Sequence, residues 1–496
     1  MMRGRMSPWK PALFIQPRSG VPVFEQIARA LAEEIQKGRF APGDHLPGYR
    51  TIAKQLGVSR NTVIAAYKDL QAQGLVVTHP VVGTVVAPKR SKTSGPTPRA
   101  PTGPAQSPRD RVGFDLAATS GAHSMKLSPG LLNAGTGIPD SRLVPGLALA
   151  RAYRRVITAR KGAALAPGDP RGHPRLRRAL SEMLSGTRWL SAGAEEIFVA
   201  RGSQMALFLL AQAICPPGTG VAVEALGDRR AWDAFTRAGA RCHPVPVDDR
   251  GLDVDALDRL AEARDGSLRA VMVTPHWQYP TLVPLAPERR SRLLAIASER
   301  RLAVLEVDLD SEFQYEGVPV RSLASEDRSG VVVHVGTLSK LFAPALRLGF
   351  VVAPPKLTSR LKELRVAVDR HGDPTLELAM AELMEDGELH RHVNRMRVSY
   401  RARRDALCAA LHEHLGESLD VRPPAGGLAI WARLRRELDA DAWAARAMQV
   451  GVAFRPGRAF AFDGQAVPAL RMGFTAHGEE ELGEAVRRMV ASLDES

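Results

Sequence analysis

The sequence predicts two units of different class: a small helix-turn-helix head with a β-wing, and a large α/β body built on a mostly parallel sheet. Three observations carry this reading. Residues 1–111 hold 17 Lys and Arg against 6 Asp and Glu, whereas the remaining 385 hold 51 against 47, so a basic head precedes a nearly neutral body. A Pro-, Ser- and Arg-rich stretch from Pro88 separates them. From about residue 195, short apolar runs alternate with helical patterns, the rhythm of strands and covering helices. Hydrophobic residues make up 45% of the 496, ample for packed cores, which excludes a generally disordered chain. No apolar run approaches the roughly 20 residues needed to span a membrane. Leu13-Phe14-Ile15 is too short for a signal-peptide core. Cys215, Cys242 and Cys408 show neither metal spacing nor a disulfide framework, which suits a reducing cytoplasm.

In the head, expected over residues 15–87, Phe24, Ile27, Ala28, Leu31 and Ile35 recur at helical spacing. A second short helix runs through Ile52, Ala53 and Leu56 and stops at Gly57. Ser59 can cap a third, whose apolar face is Val63, Ala66, Tyr67 and Leu70. Two helices joined by Gly57-Val58-Ser59 form a helix-turn-helix. The second of them presents Arg60, Asn61 and Thr62 at the end that meets base edges in a major groove. Arg and Asn make bidentate contacts there, to guanine and adenine respectively. Leu75–Thr78 and Thr84–Ala87 then flank a turn containing Gly83, the pattern of a wing. A basic head of this kind is expected to bind double-stranded DNA.

The words G-R-F-A-P-G-D-H-L-P-G-Y-R from Gly38, and A-K-Q-L-G-V-S-R-N-T-V-I-A-A-Y-K-D-L-Q-A-Q-G-L-V from Ala53, closely resemble the winged helix of the GntR regulators. That resemblance implies that Arg50, Ser59, Arg60, Asn61 and Thr62 contact DNA, with Gly83 at the wing tip. Gly48-Tyr49, where the family has small hydroxyl residues, and Val82 depart from its pattern. Residues 88–125 have no periodicity and little apolar content, and read as a basic, semi-extended tether.

The body, expected over 126–496, shows strands at Val221–Glu224, Ala270–Thr274, Leu302–Val307 and Val331–Val335. Helical stretches include Met205–Ile214, Asp253–Ala263 and Pro287–Glu299. A smaller C-terminal α+β unit follows, with helices over Leu376–Met384 and Val398–Leu415. The strand from Val331 is expected to break at Gly336, leading into Thr337, Ser339 and Lys340. A lysine just past the carboxyl end of a buried strand lies where open α/β sheets hold ligands. A partly desolvated amine there can form a Schiff base with an aldehyde. Arg347 can meet a phosphate as a planar fork. Gly202-Ser203-Gln204 opens a helix whose first N–H groups can cradle the same phosphate.

The words G-T-L-S-K ending at Lys340 and R-L-G from Arg347 resemble the cofactor-lysine segment of fold-type I aminotransferases. They are most similar to the version fused behind a winged helix in MocR/GabR-type regulators. The resemblance extends over roughly 350 residues and includes Gly168-Asp-Pro-Arg-Gly-His-Pro-Arg-Leu-Arg, near the family's dimer contact. It implies a homodimer and pyridoxal phosphate as cofactor. Lys340 would be its Schiff-base lysine, with Gly202, Ser203, Gln204, Thr337, Ser339 and Arg347 around it and Arg471 holding a substrate carboxylate.

Where the family reads E-D-D-Y-D-S-E-F, this chain has Glu306-Val-Asp-Leu-Asp-Ser-Glu-Phe313. Val307 replaces the acid that pairs with the pyridine nitrogen, and Leu309 replaces the tyrosine that bonds the phenolic oxygen. In a strand these two share a face and Asp308 points the other way. Asp228 stands where an aromatic stacks on the ring, and Trp277 and Leu282 replace a His and a Gly. Without the acid the ring is a poor electron sink, so transamination is disfavoured while lysine and phosphate cup remain. Three readings follow: a regulator sensing pyridoxal phosphate or an amino compound, an aminotransferase with a DNA-binding appendage, or a regulator whose body only dimerises.

Overall fold

The computed structural model describes Ile15 and residues 21–79, 83–88, 130–264, 266–435 and 438–493. The chain divides into two compact units, Met1–Gly121 and Ala122–Ser496. Of the expected tether, all but Pro88 lies outside the described residues, as does Val82.

The head consists of α1 (Val23–Gln36), α2 (Tyr49–Leu56), α3 (Arg60–Ala72) and the antiparallel pair β1 (Val76–His79) and β2 (Gly83–Val86). Ile27 and Leu31 of α1, Ile52 of α2, and Val63 and Leu70 of α3 are wholly buried in one core, which Val76 and Val86 close from the wing. Each such side chain contributes roughly 1.5–3 kcal/mol of burial. Gly57 ends α2 in the left-handed conformation, φ 64°, and the Ser59 hydroxyl accepts from the Thr62 N–H at 3.1 Å. That bond satisfies one of the donors orphaned at the start of α3. Ser59→Ala should therefore cost the head about 1 kcal/mol, read as a lower melting temperature without DNA; an unchanged value would mean the cap contributes nothing.

In the body, seven strands form one sheet: β3 (Ile197–Ala200), β4 (Gly220–Glu224), β5 (Arg241–Val245), β6 (Leu268–Val273), β7 (Ala303–Val307), β8 (Val332–Thr337) and β9 (Gly349–Val352). Their order is β3-β9-β8-β7-β6-β4-β5. The run from β8 to β5 is parallel, and β9 is antiparallel to both its neighbours. β4 and β8 are buried at every residue, as strands covered on both faces must be. β8 does not break at Gly336: it continues to Thr337, because Gly336 pairs with Phe350 and Thr337 with Gly349. The Phe350 ring occupies the space a Cβ on Gly336 would need, so only glycine carries the strand past that point.

The C-terminal unit is a four-stranded antiparallel sheet, β10 (Leu419–Val421), β11 (Ala429–Leu434), β12 (Arg455–Pro456) and β13 (Ala469–Gly473), ordered β10-β11-β13-β12. A 28-residue helix, Glu388–Leu415, precedes it and begins ten residues before the Val398 start expected from periodicity. Among the described residues no helix is long and apolar enough to cross a membrane.

Candidate cofactor pocket and nucleic-acid interface

In the head, Arg60 and Asn61 are exposed at the first turn of α3, and Arg50 is exposed at the first turn of α2. Thr62 is half-buried, and its hydroxyl lies 2.8 Å from that of Ser59. Ser59 and Thr62 thus hold each other and the helix start, while Arg60 and Asn61 remain available to a duplex. Gly83 is exposed at the start of β2 with φ 92°.

In the body, the helix Gly202–Ile214 follows directly on β3 and has no side-chain cap, so its first N–H groups are left for an anion. Gly202 itself has φ 79°. Gly349 makes the approach possible: a Cβ there would lie 2.6 Å from the Gly202 carbonyl carbon and 2.7 Å from the Ser203 nitrogen. The Arg347 guanidinium lies 3.4 Å from where a Cβ on Gly202 would stand. Arg347 has φ 51°, and among the described residues no carboxylate pairs with it.

The hydroxyls named from the sequence hold the loop around this cup. Thr337 Oγ1 donates to the Leu348 carbonyl at 2.9 Å, and Ser339 Oγ accepts from the Leu348 N–H at 3.2 Å. Gln204 Nε2 donates to the Arg230 carbonyl at 2.6 Å. Lys340 is mostly buried, with Nζ 3.5 Å from Asp310 Oδ2. Asp310 does not stand out from the sequence, although it sits three residues after Val307 in a segment already singled out.

The ring side is different. Leu305 and Val307 pack with Phe198, Leu210, Trp232, Val335 and Val351, and Leu309 lies against the same cluster. Asp308 is on the opposite face, where Arg188 Nε donates to its Oδ2 at 3.0 Å and Arg188 Nη2 reaches Glu312 Oε1 at 2.7 Å. Burial opposes the charge on Asp308, yet Arg188, the nearby imidazoles and Ser311 hold its carboxyl well below the usual range. Burial, together with the Asp308 charge, keeps the Glu312 carboxyl above it. Asp228 caps the helix Arg229–Arg237 and pairs with Arg230.

Arg471 lies in β13, 2% exposed, and its guanidinium sits 4.7 Å from the Tyr279 ring centroid. Its Nε has no hydrogen-bond partner, and among the described residues no carboxylate neutralises it. A Cβ on Gly137 would meet both the Leu428 carbonyl and the Arg471 guanidinium, and one on Gly427 would come within 3.9 Å of Asp310 Oδ2. Tyr279 is held in turn: its N–H donates to Thr274 Oγ1 at 3.0 Å, and that hydroxyl donates to Glu224 Oε2 at 2.6 Å. Full burial pushes the Glu224 carboxyl up to about 7. Neither Tyr279 nor Glu224 stands out from the sequence, because their roles depend on which side chains meet across the sheet ends. Leu282 has φ 65°, a backbone suited to the glycine it replaces. Its side chain and Trp277 pack together over Gly426 and Gly427.

Comparison with known proteins agrees with this division. Residues 131–489 match the family of class I and II aminotransferases, and residues 24–86 match the bacterial regulatory proteins of the gntR family. The probable rhizopine catabolism regulatory protein MocR of Rhizobium meliloti is 30% identical over 446 residues, covering 90% of this chain and 88% of that protein. The HTH-type transcriptional regulator TauR of Rhodobacter capsulatus is 30% identical over 494 residues, 97% of this chain and 99% of that one. Among solved structures, the α-aminoadipate aminotransferase LysN of Thermus thermophilus, complexed with N-(5'-phosphopyridoxyl)-L-leucine, superposes with TM-score 0.67. It is 29% identical and covers 74% of this chain and 92% of its own. Dependence on pyridoxal phosphate is a property of the body's family. The chain belongs to the MocR-type transcriptional regulators, in which a gntR-family DNA-binding head is fused to a class I and II aminotransferase domain.

Proposed function

We propose that the body of this regulator is a receptor for pyridoxal phosphate, or for an amino compound presented to it, and that it does not turn substrate over. The observation that carries the reading is a split within one site. The phosphate and aldehyde ends fit the cofactor: an uncapped helix start, a glycine that lets it approach, Arg347 beside it and Lys340 just past the end of β8. The ring-nitrogen side does not fit, since Val307 and Leu309 lie in an apolar cluster.

When bound, the cofactor supplies an aldehyde for a lysine amine and, if its ring nitrogen is protonated, an electron sink. Gly202, Ser203 and Gln204 would direct N–H groups at its phosphate, and Arg347 would neutralise it. Thr337 and Ser339 keep the loop from Leu338 to Leu348 in place. Asp310 holds the Lys340 amine, with 3.5 Å between Oδ2 and Nζ. Arg471, buried and unpaired, offers a fixed charge to a carboxylate. Neither Val307 nor Leu309 can hold a proton on a ring nitrogen. Arg50, Ser59, Arg60, Asn61 and Thr62, with the wing tip at Gly83, serve the DNA, and a homodimer matches paired half-sites.

The test is the visible absorption spectrum of the protein titrated with pyridoxal phosphate, beside Lys340→Ala. A band in the wild type that is missing in the variant, and that an added amine shifts, is the expected result. No band in either protein would leave a body that only dimerises. Steady turnover of any amino donor would instead revive the enzyme reading.

A further inference from the structure

The head contains a side chain that joins its core to the wing. Tyr49, the first residue of α2, sets its ring edge-on to Tyr67 of α3, with centroids 5.1 Å apart. Its hydroxyl lies 3.4 Å from Thr84 Oγ1, which is 3.0 Å from Thr78 Oγ1. Tyr67 is fixed in its turn, its hydroxyl donating to the Pro47 carbonyl at 2.8 Å. One side chain therefore touches the recognition helix and the wing from the start of α2.

The wing also pairs with the segment before α2: the Gly43 N–H donates to the Val86 carbonyl and the Val86 N–H to the Asp44 carbonyl, each at 2.9 Å, and His45 bridges Val85. β1 and β2 have four residues each, and their core anchors, Val76 and Val86, pair with each other at the end away from Gly83. A two-stranded hairpin alone is marginally stable in water, and this segment gives β2 a second backbone partner beside β1. Thr84, next to the tip, is nonetheless only 6% exposed. The Leu46 N–H donates to its carbonyl at 2.9 Å, and Tyr49 provides the side-chain contact on the helix side. Gly48, just before Tyr49, has no side chain with which to reach a phosphate. At this point the head carries an internal brace.

We propose that Tyr49 is a positioning residue for DNA recognition: through Thr84 it fixes the wing against the recognition helix, and so sets the distance between Gly83 and the Arg60-Asn61 end of α3. It does so without touching the duplex. The partner selected is a DNA whose groove spacing suits that fixed distance.

The experiment starts with a duplex selected from a random-sequence pool by the full-length wild-type protein. Its affinity is then measured for wild type, Tyr49→Phe, Thr84→Val, the double variant and Thr84→Ser, with thermal unfolding recorded for each. Loss of one such hydroxyl contact should weaken binding about fivefold. Tyr49→Phe and Thr84→Val should each show that loss, the double variant should be no weaker than either, and Thr84→Ser, which keeps the hydroxyl, should bind like wild type. Losses that add in the double variant would overturn the proposal, because the two residues would then act independently. So would a loss in Tyr49→Phe with Thr84→Val harmless, which would mean the phenol meets the DNA itself. Melting temperatures that fall while affinities hold would reduce the contact to a structural one and overturn it too.

Discussion

Replacing Arg188 by methionine should destabilise the body by about 3–5 kcal/mol, because it strands the buried Asp308 carboxylate and the mostly buried Glu312 carboxylate at once. Arg188 ends the helix Pro174–Arg188, is 5% exposed, and divides its fork between Asp308 and Glu312. In the wild type the Asp308 carboxyl is held low, so its contribution is present at neutral pH and is lost as pH falls through the acid range. In the variant both carboxyls would sit above their usual values. Their protonated forms would then be favoured, giving stability that is present at low pH and lost as pH rises. The stability difference between wild type and variant should therefore be large at pH 7.5 and clearly smaller at pH 5, measured on the body's unfolding transition. An equal loss at both values would show that the arginine acts through packing, not charge. The loop carrying Asp310 begins at this cluster, so the variant should also loosen the Asp310 contact to Lys340.

Much of the fold follows from periodicity, and the residues that escape it do so for definite reasons. β7 and β8 are legible because β-branched runs buried on both faces cannot be anything but short strands or buried helix, and length decides between them. β9 is harder: Gly349–Val352 is four residues long, opens on a glycine and runs antiparallel among parallel neighbours. The first ten residues of the helix Glu388–Leu415 are hidden by polarity, since only Leu389, His392, Val393 and Met396 of them are buried. In the site, Lys340 and Gly202 can be placed from local pattern, near the end of β8 and at a helix start, but grouping them with Arg347 around a phosphate rests on the family resemblance. The alternation of faces is readable too, and Val307 and Asp308 do lie on opposite sides of the sheet at the end of β7. Asp310 beside Lys340, and Tyr279 against Arg471, are meetings between distant segments that no local pattern contains.

That alternation yields the sharpest chemical test of the pocket. Val307 is 7% exposed among Phe198, Leu305, Val335 and Val351, so Val307→Asp alone places a carboxylate with no partner in an apolar wall. The ligand-free variant should lose about 3 kcal/mol or more, and its new carboxyl should bind a proton at neutral pH. Adding Leu309→Tyr gives the face a hydroxyl beside the acid. Pyridoxal phosphate then supplies what the wall lacks, a ring nitrogen that can carry a proton against the carboxylate. Its affinity for the double variant should rise at least about tenfold, which is roughly 1.4 kcal/mol. The ligand should also raise the variant's melting temperature by more than it raises that of the wild type, since a ligand stabilises only the state it binds. Val307→Asn with Leu309→Tyr is the control: the amide matches the carboxylate in size but cannot stabilise a protonated ring, so its affinity should stay near that of the wild type. Equal affinity in the Asp and Asn variants would mean that residue 307 does not face the ring, and that the apolar wall is core packing unrelated to the ligand. A gain confined to the Asp variant would place residue 307 beside the ring nitrogen, so that the wild-type valine is what denies the ring its proton.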